Sequence, residues 1–288
     1  MHWLIAVSFL WAFSFGLVKT RLPELDSTAL AVARNLLAFI FFLPFFRLRQ
    51  VGLGRGIVLF FIGAVQFGLM YAFYMAAFAY LRASEIALFT IFTPLYVALV
   101  DSVLEFRFTK HWFIAAGLAI LGAGIIHWQR ADFAELWRGF LLMQASNFCF
   151  AFGQIAYKRF HARLQEGIAE RRYFAWLMAG GFVATLACAF WQGTDWGAFR
   201  PSMEQWGVLL YLGIIASGAG FFLWNRGATL VNAGTLAVFN NLKIPLGVAC
   251  SLFFFGESFS YEGMIRLGAG FLLVFFAVCI AQKNRLNA

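Results

Sequence analysis

Residues 240–245 read Asn-Asn-Leu-Lys-Ile-Pro, in the middle of an apolar run, 234–255, long enough to cross a bilayer. Lys243 is nine residues from the start of that run and twelve from its end, roughly 14 to 18 Å from either edge by helical rise. A stem of about 6 Å cannot snorkel that far. A lysine at the centre of a spanning helix costs about 2.5–3.5 kcal/mol even on the lenient insertion scale. No acid stands at matching depth in another apolar run, so a fixed ion pair is not evident. Two readings remain. Lys243 could sit in water and bond to carbonyls freed by Pro94 or Pro245, holding two helices together. Alternatively the carboxylate of a small molecule is the missing partner, with Asn240 and Asn241 on its amine or carboxylate oxygens. The second is the expectation.

Other residues could line the same place. Helical spacing puts Asn240 and Lys243 on one face, with Asn241 at its edge. Gln66, Met70 and Tyr74 recur at i, i+4 and i+8, with Tyr71 adjacent. Trp11, Trp224 and Phe150 supply rings, Gln154 an amide, and Asn147 stands one turn before Phe150. Tyr96 follows Pro94. Together these predict an aromatic wall with a few amides, suited to an apolar or aromatic group on a polar head. For a single ring the ordinary reading is packing, because the chain has 38 Phe. Pro94 cannot donate to the carbonyl of Thr90, nor Pro245 to that of Asn241, so both are expected to leave a free carbonyl and act as hinges. Arg34, roughly 9 Å inside its run, is expected to be structural, snorkelling or pairing with Glu24 or Asp26. Catalysis is not expected. Ser217 is the only tempting serine, His127 has no partner pattern, and no paired acids, H-E-x-x-H or cysteine–histidine spacing occurs, so neither metal nor cofactor is implied.

The elements that must position these groups follow from composition. Of 288 residues, 62% are hydrophobic and 12% charged, against about 25% charged in a soluble domain. The chain reads as an all-α polytopic membrane protein with ten spans, at 2–18, 28–46, 57–80, 86–104, 112–128, 139–157, 173–192, 206–224, 234–255 and 262–281. The apolar runs are continuous rather than alternating, which favours helices over a barrel. The first run lacks a basic flank and a small-residue cleavage site and reads as a span. The four cysteines fall inside spans and show no disulfide spacing.

The net charge of +9 is read as topology, not as nucleic-acid binding. With the N-terminus inside, cytoplasmic segments hold Arg47, Arg49, Arg55, Arg107, Lys110, Lys158, Arg159, Arg163, Arg171, Arg172, Arg226, Lys283 and Arg285. The other side holds Lys19, Arg21, Arg82, Arg130, Arg138 and Arg200. Thirteen against six places both termini in the cytoplasm.

The halves echo one another. "WAFSFGLVK" at 11–19 resembles "FAFGQIAYK" at 150–158, "ASEIALF" at 83–89 matches "AGTLAVF" at 233–239, and "PLYVA" at 94–98 matches "PLGVA" at 245–249. Glu105 and Glu257 close the two proline runs. In this register Tyr71 matches Phe221, Tyr74 matches Trp224, and Trp11 matches Phe150. The organisation expected is two inverted five-helix repeats, 1–138 and 139–288, with a site between them near the midplane. Glycines at 117, 122, 124, 268 and 270 let spans 5 and 10 approach closely, to brace the halves or to form a homodimer seam.

The five-plus-five pattern, "LWAFSF" in the first span, Arg34 in "ARNLLAF", and the Pro-x(10–11)-Glu endings together resemble the drug/metabolite transporter superfamily, EamA-type, over the whole chain. Within it the aromatic-rich middle looks most like the bacterial aromatic amino acid exporters. The resemblance implies alternating-access transport of a small-molecule substrate through the lipid bilayer, an amino acid with a bulky apolar or aromatic side chain foremost, and another metabolite or drug as the alternative. A channel or an intramembrane enzyme explains the repeat less well. Apart from Glu262 at the first position of the last span, Asp101 is the only acid within a span, near its end, so transport is expected to run down a gradient without proton coupling.

Overall fold

Each of the ten apolar runs holds a helix in the computed structural model, which describes residues 1–22, 24–77, 79–81, 86, 89–106, 108–126, 133–164, 168–254 and 261–282. The helices are α1 (His2–Arg21), α2 (Ser27–Phe42), α3 (Leu53–Ala77), α4 (Thr93–Glu105), α5 (Lys110–Ile126), α6 (Phe133–Ala162), α7 (Glu170–Trp191), α8 (Met203–Thr229), α9 (Ala233–Phe254) and α10 (Tyr261–Gln282). No strand occurs among the described residues. His127, Glu257, Lys283 and Arg285 lie outside them.

Several boundaries are written in short polar side chains. Asp26 accepts from the N–H of Ala29 at 2.8 Å and starts α2. Ser202 and Gln205 cap α8 reciprocally. Asn232 accepts from the N–H of Thr235 at 2.7 Å, before α9. The fourth helix departs from the expected 86–104. A 3-10 turn, Thr90–Phe92, precedes it and α4 begins at Thr93, because Pro94 has no N–H and fits only the first turn. The carbonyl of Thr90, expected to be free, accepts from the Thr93 hydroxyl at 2.8 Å. Pro245, by contrast, lies inside a continuous α9.

Among the described residues five stretches are long and apolar enough to cross a membrane alone: Ser27–Phe45, Leu53–Ala77, Glu170–Trp191, Met203–Thr229 and Met264–Ala281. Two shorter apolar stretches, His2–Ser14 and Lys110–Gly122, accompany them. Polarity is turned inward. Gln66, Gln154, Asn225 and Asn241 are fully buried, while Phe61 and Phe275 are each 63% exposed on the outer surface. A bundle solvated by lipid needs that arrangement.

Helix directions follow from paired contacts. Thr28 meets Gln192, Asn35 donates to Thr185 at 2.7 Å, and Phe42 meets Phe174, so α2 and α7 run antiparallel. Gly56 faces Trp176, Gly63 faces Leu177 and Gly68 faces Ala184, so α3 and α7 run parallel. Gly213 faces Leu37 and Phe222 meets Phe42, so α8 and α2 also run parallel. The neighbours exchange in the same way: α1 packs on α8 and α9, α6 on α3 and α4, and α5 on α10. Gly122 lies against the carbonyl of Gly270 in that last contact, so this pair of glycines is used within one chain.

Two helices are distorted at matching places. α3 has a π segment at Ala64–Leu69 and α8 one at Tyr211–Ala219. Met70 N–H bonds to the carbonyls of Val65 and Phe67 and passes over Gln66. Gly220 N–H bonds to those of Ile215 and Ser217 and passes over Ala216. Such bulges change which side chains and carbonyls face inward.

Candidate functional site

The rings expected to form a wall do meet. The centroid of Trp11 lies 4.8 Å from that of Trp224, 5.4 Å from Phe221 and 6.1 Å from Phe150. Phe221 in turn touches Phe67 at 4.5 Å and Tyr71 at 6.5 Å, and Tyr71 meets Tyr74 at 6.4 Å. Helices α1, α3, α6 and α8 thus contribute to one cluster. Each such contact is worth about 0.5–1.5 kcal/mol beyond burial, so the wall is stiff as well as apolar.

The π segment of α8 fixes the central ring. The indole N–H of Trp11 donates to the carbonyl of Ala216 at 2.9 Å. That is the carbonyl passed over by Gly220. The second tryptophan is fixed by amides: Trp224 donates to Gln154 Oε1 at 3.0 Å, and Gln154 and Asn240 pair at 3.3 and 3.4 Å. Asn240 also donates to the carbonyl of Leu236 at 2.9 Å. These amides are buried and engaged with protein partners, so they orient the wall.

Lys243 projects from α9 toward the same rings. Its Nζ lies 5.9 Å from the centroid of Trp11 and 6.0 Å from that of Phe150, at the outer reach of a cation–π contact. It is half-buried and has neither a carboxylate nor a hydrogen-bond partner among the described residues. The alternative reading gave it carbonyls near Pro94, and those are engaged elsewhere. Asn241 Nδ2 donates to the carbonyl of Ile91 at 2.8 Å and to that of Ala119 at 3.3 Å. Asn241 therefore points toward the 3-10 turn before α4 and toward α5, away from the rings, because one residue turns a helix by about 100°.

The remaining candidates are spread around this centre. Gln66 lies within the π segment of α3. It donates to Asn225 Oδ1 at 3.1 Å and packs beneath Gly153. Asn147 donates to the carbonyl of Phe89 at 2.8 Å and accepts from Thr93, tying α6 to the turn before Pro94. The ring of Tyr96 meets Phe148 at 6.2 Å on the exposed side of α6.

Arg34 was expected to snorkel or to pair with Glu24 or Asp26. Asp26 is engaged as the cap of α2, and Arg34 turns inward. Its Nε and Nη2 donate to Ser217 Oγ at 3.3 and 3.1 Å, and its guanidinium lies 5.4 Å from the Tyr71 ring centroid. The available signal was an arginine nearly two turns inside a span, in a motif shared with known carriers. Asp101, the acid considered for proton coupling, pairs with Arg159 at 3.2 Å, beside Glu105 at 3.1 Å, at the C-terminal end of α4.

An apolar bundle with buried amides, two inward cations and an aromatic wall defines a polytopic membrane protein built around a small molecule. The chain belongs to the EamA-like transporter family, whose profile matches residues 1–128 and 137–280. It is a transporter and not an enzyme. A Pseudomonas aeruginosa relative named "Probable biotin transporter" is 37% identical over 99% of this chain and 98% of its own length. The Escherichia coli K12 protein named "Biotin transporter" is 38% identical over 88% of this chain and 84% of its own. A relative of the same name from Salmonella typhimurium is 39% identical over the same shares. A solved crystal structure of 17% identity aligns over 98% of this chain and 96% of its own, with a TM-score of 0.77, and shares the fold.

Proposed function

We propose that this transporter carries biotin, or a compound of the same chemistry, across the bacterial inner membrane by alternating access. Biotin combines an apolar fused ring, a urea group and a pentanoate carboxylate. The observation that carries the reading is Lys243, an ammonium against the faces of Trp11 and Phe150 with no carboxylate partner among the described residues. Relatives similar over nearly the whole chain carry the name of such a substrate. In this reading Lys243 takes the carboxylate, while Trp11, Phe150, Trp224, Tyr71 and Tyr74 wall the ring system. Gln154, Asn240 and Gln66 hold the wall in place. Asn241, Asn147 and Tyr96 support α9, α6 and α4 around it, and Pro94 and Pro245 serve as hinges.

The expectation of aromatic amino acid export yields to this on charge. An α-ammonium would enter a site flanked by two cations and, among the described residues, no acid. Like charges at close range disfavour one another. The purified protein is therefore expected to bind tritiated biotin, with displacement by unlabelled biotin and none by phenylalanine or tryptophan. Displacement by the amino acids alone would restore the first reading.

Alternating access rests on two inverted five-helix units divided near residue 138. The antiparallel run of α2 against α7, the matched π segments and the two family matches support this. Asp101 is held by Arg159, so net flux follows the substrate gradient, in or out. The functional unit is the single chain, with Gly122 and Gly270 bracing α5 and α10. Both termini lie in the cytoplasm, by the charge bias. Single cysteines near Arg163 and Arg285 should escape an impermeant thiol reagent in intact cells. Labelling at both would reject this topology.

A further inference from the structure

The π segment of α8 positions two groups at neighbouring residues. The carbonyl of Ala216 holds the indole of Trp11, and the hydroxyl of Ser217 holds the guanidinium of Arg34. A continuous chain of rings then joins the two cations. Lys243 lies over Trp11, Trp11 touches Phe221, Phe221 touches Tyr71, and Arg34 lies over Tyr71. The site has a cationic group at each end of one aromatic wall.

The two cations are differently placed. Lys243 has the ring faces of Trp11 and Phe150 near its Nζ and needs a full counter-charge. Arg34 already gives two N–H groups to a neutral hydroxyl and rests on a tyrosine face, and it is half-buried. Its other N–H groups have no described partner. A guanidinium held flat in this way offers a fixed fork of donors and suits a strong neutral acceptor. Resting on the reading of the site as one for biotin, we propose that Arg34 is a specificity-determining residue that donates to the urea oxygen of the substrate, while Lys243 holds the carboxylate at the other end. Arg34 thereby separates urea-bearing ligands from carboxylates of similar length and apolarity. Ser217 is its positioning residue.

The test uses the purified full-length chain and two labelled ligands, biotin and lipoate. Lipoate has the same pentanoate on a sulfur ring and lacks the urea. Wild type should favour biotin by about 10- to 100-fold, the worth of a hydrogen bond to a charged group. Arg34→Met should lower biotin affinity to the lipoate level and leave lipoate within about twofold. Ser217→Ala should narrow the ratio less, and gives the same reading if Arg34→Met does not fold. Lys243→Met should weaken both ligands together. A ratio unchanged in Arg34→Met or Ser217→Ala, whether both affinities fall or neither does, would overturn the role of Arg34 and leave the biotin reading standing. Wild type that binds no biotin would overturn both.

Discussion

Lys243→Met is expected to lose at least about 100-fold in biotin affinity while the protein becomes no less stable. Breaking a buried charge pair costs about 3–5 kcal/mol, and each 1.4 kcal/mol is tenfold in affinity. The complex would keep a carboxylate against Trp11 and Phe150 with nothing to balance it. The ligand-free protein experiences the reverse. Removing an ammonium whose described surroundings are ring faces and replacing it with an apolar chain of similar length is neutral or stabilising. Biotin amide, which has no charge, should bind the variant as it binds wild type. Binding and thermal unfolding in detergent read the two effects separately. A lysine that merely held α9 to its neighbours would move them together: lower stability, and equal losses for biotin and its amide.

Gly63→Val is expected to abolish the folded protein. A Cβ at Gly63 would lie 1.9 Å from the carbonyl oxygen of Leu177, and one at Gly180 would lie 1.9 Å from that of Phe60. The opposing atoms are backbone on both sides, so neither can swing aside. Overpacking a core typically costs about 1–3 kcal/mol, and here α3 and α7 would have to separate along their length. That contact sets the position of Phe67 and Tyr71 and, through them, of the wall. Gly117→Ala is the control, because nothing lies within 4 Å of its added Cβ. It should fold at least as well, since alanine is favoured over glycine inside a helix by about 1 kcal/mol. Size-exclusion profiles and unfolding temperatures of the two variants would separate these outcomes. A monodisperse Gly63→Val with wild-type stability would mean that α3 and α7 are not packed this closely.

What the sequence disclosed depended on whether the signal was local. Helix positions came through because apolar length and capping residues act within a turn or two, as Asp26 and Ser202 do. Lys243 stood out because a central lysine is costly wherever its neighbours are. The meeting of Trp11, Phe150 and Trp224 was legible from matching the halves, since equivalent positions in two copies face a shared axis. Three side chains were harder to place because their bonding partners are distant in sequence. Asn241 turned to the carbonyls of Ile91 and Ala119, and Gln66 lies in a π segment that periodicity does not reveal. The partners of Arg34, Ser217 and Tyr71, lie on other helices, beyond the reach of local pattern. The substrate was the least legible of all. A ring wall takes an aromatic amino acid or a fused bicycle equally well, and only the balance of charge around it favours one over the other.

Counterflow in proteoliposomes tests the central claim most directly. Vesicles containing wild-type protein and loaded with unlabelled biotin should transiently accumulate tritiated biotin from outside, above its equilibrium level. The same vesicles loaded with phenylalanine should not, and neither should biotin-loaded vesicles containing Lys243→Met. Accumulation in the Lys243→Met vesicles at the wild-type rate, or accumulation driven by phenylalanine and not by biotin, would contradict the account.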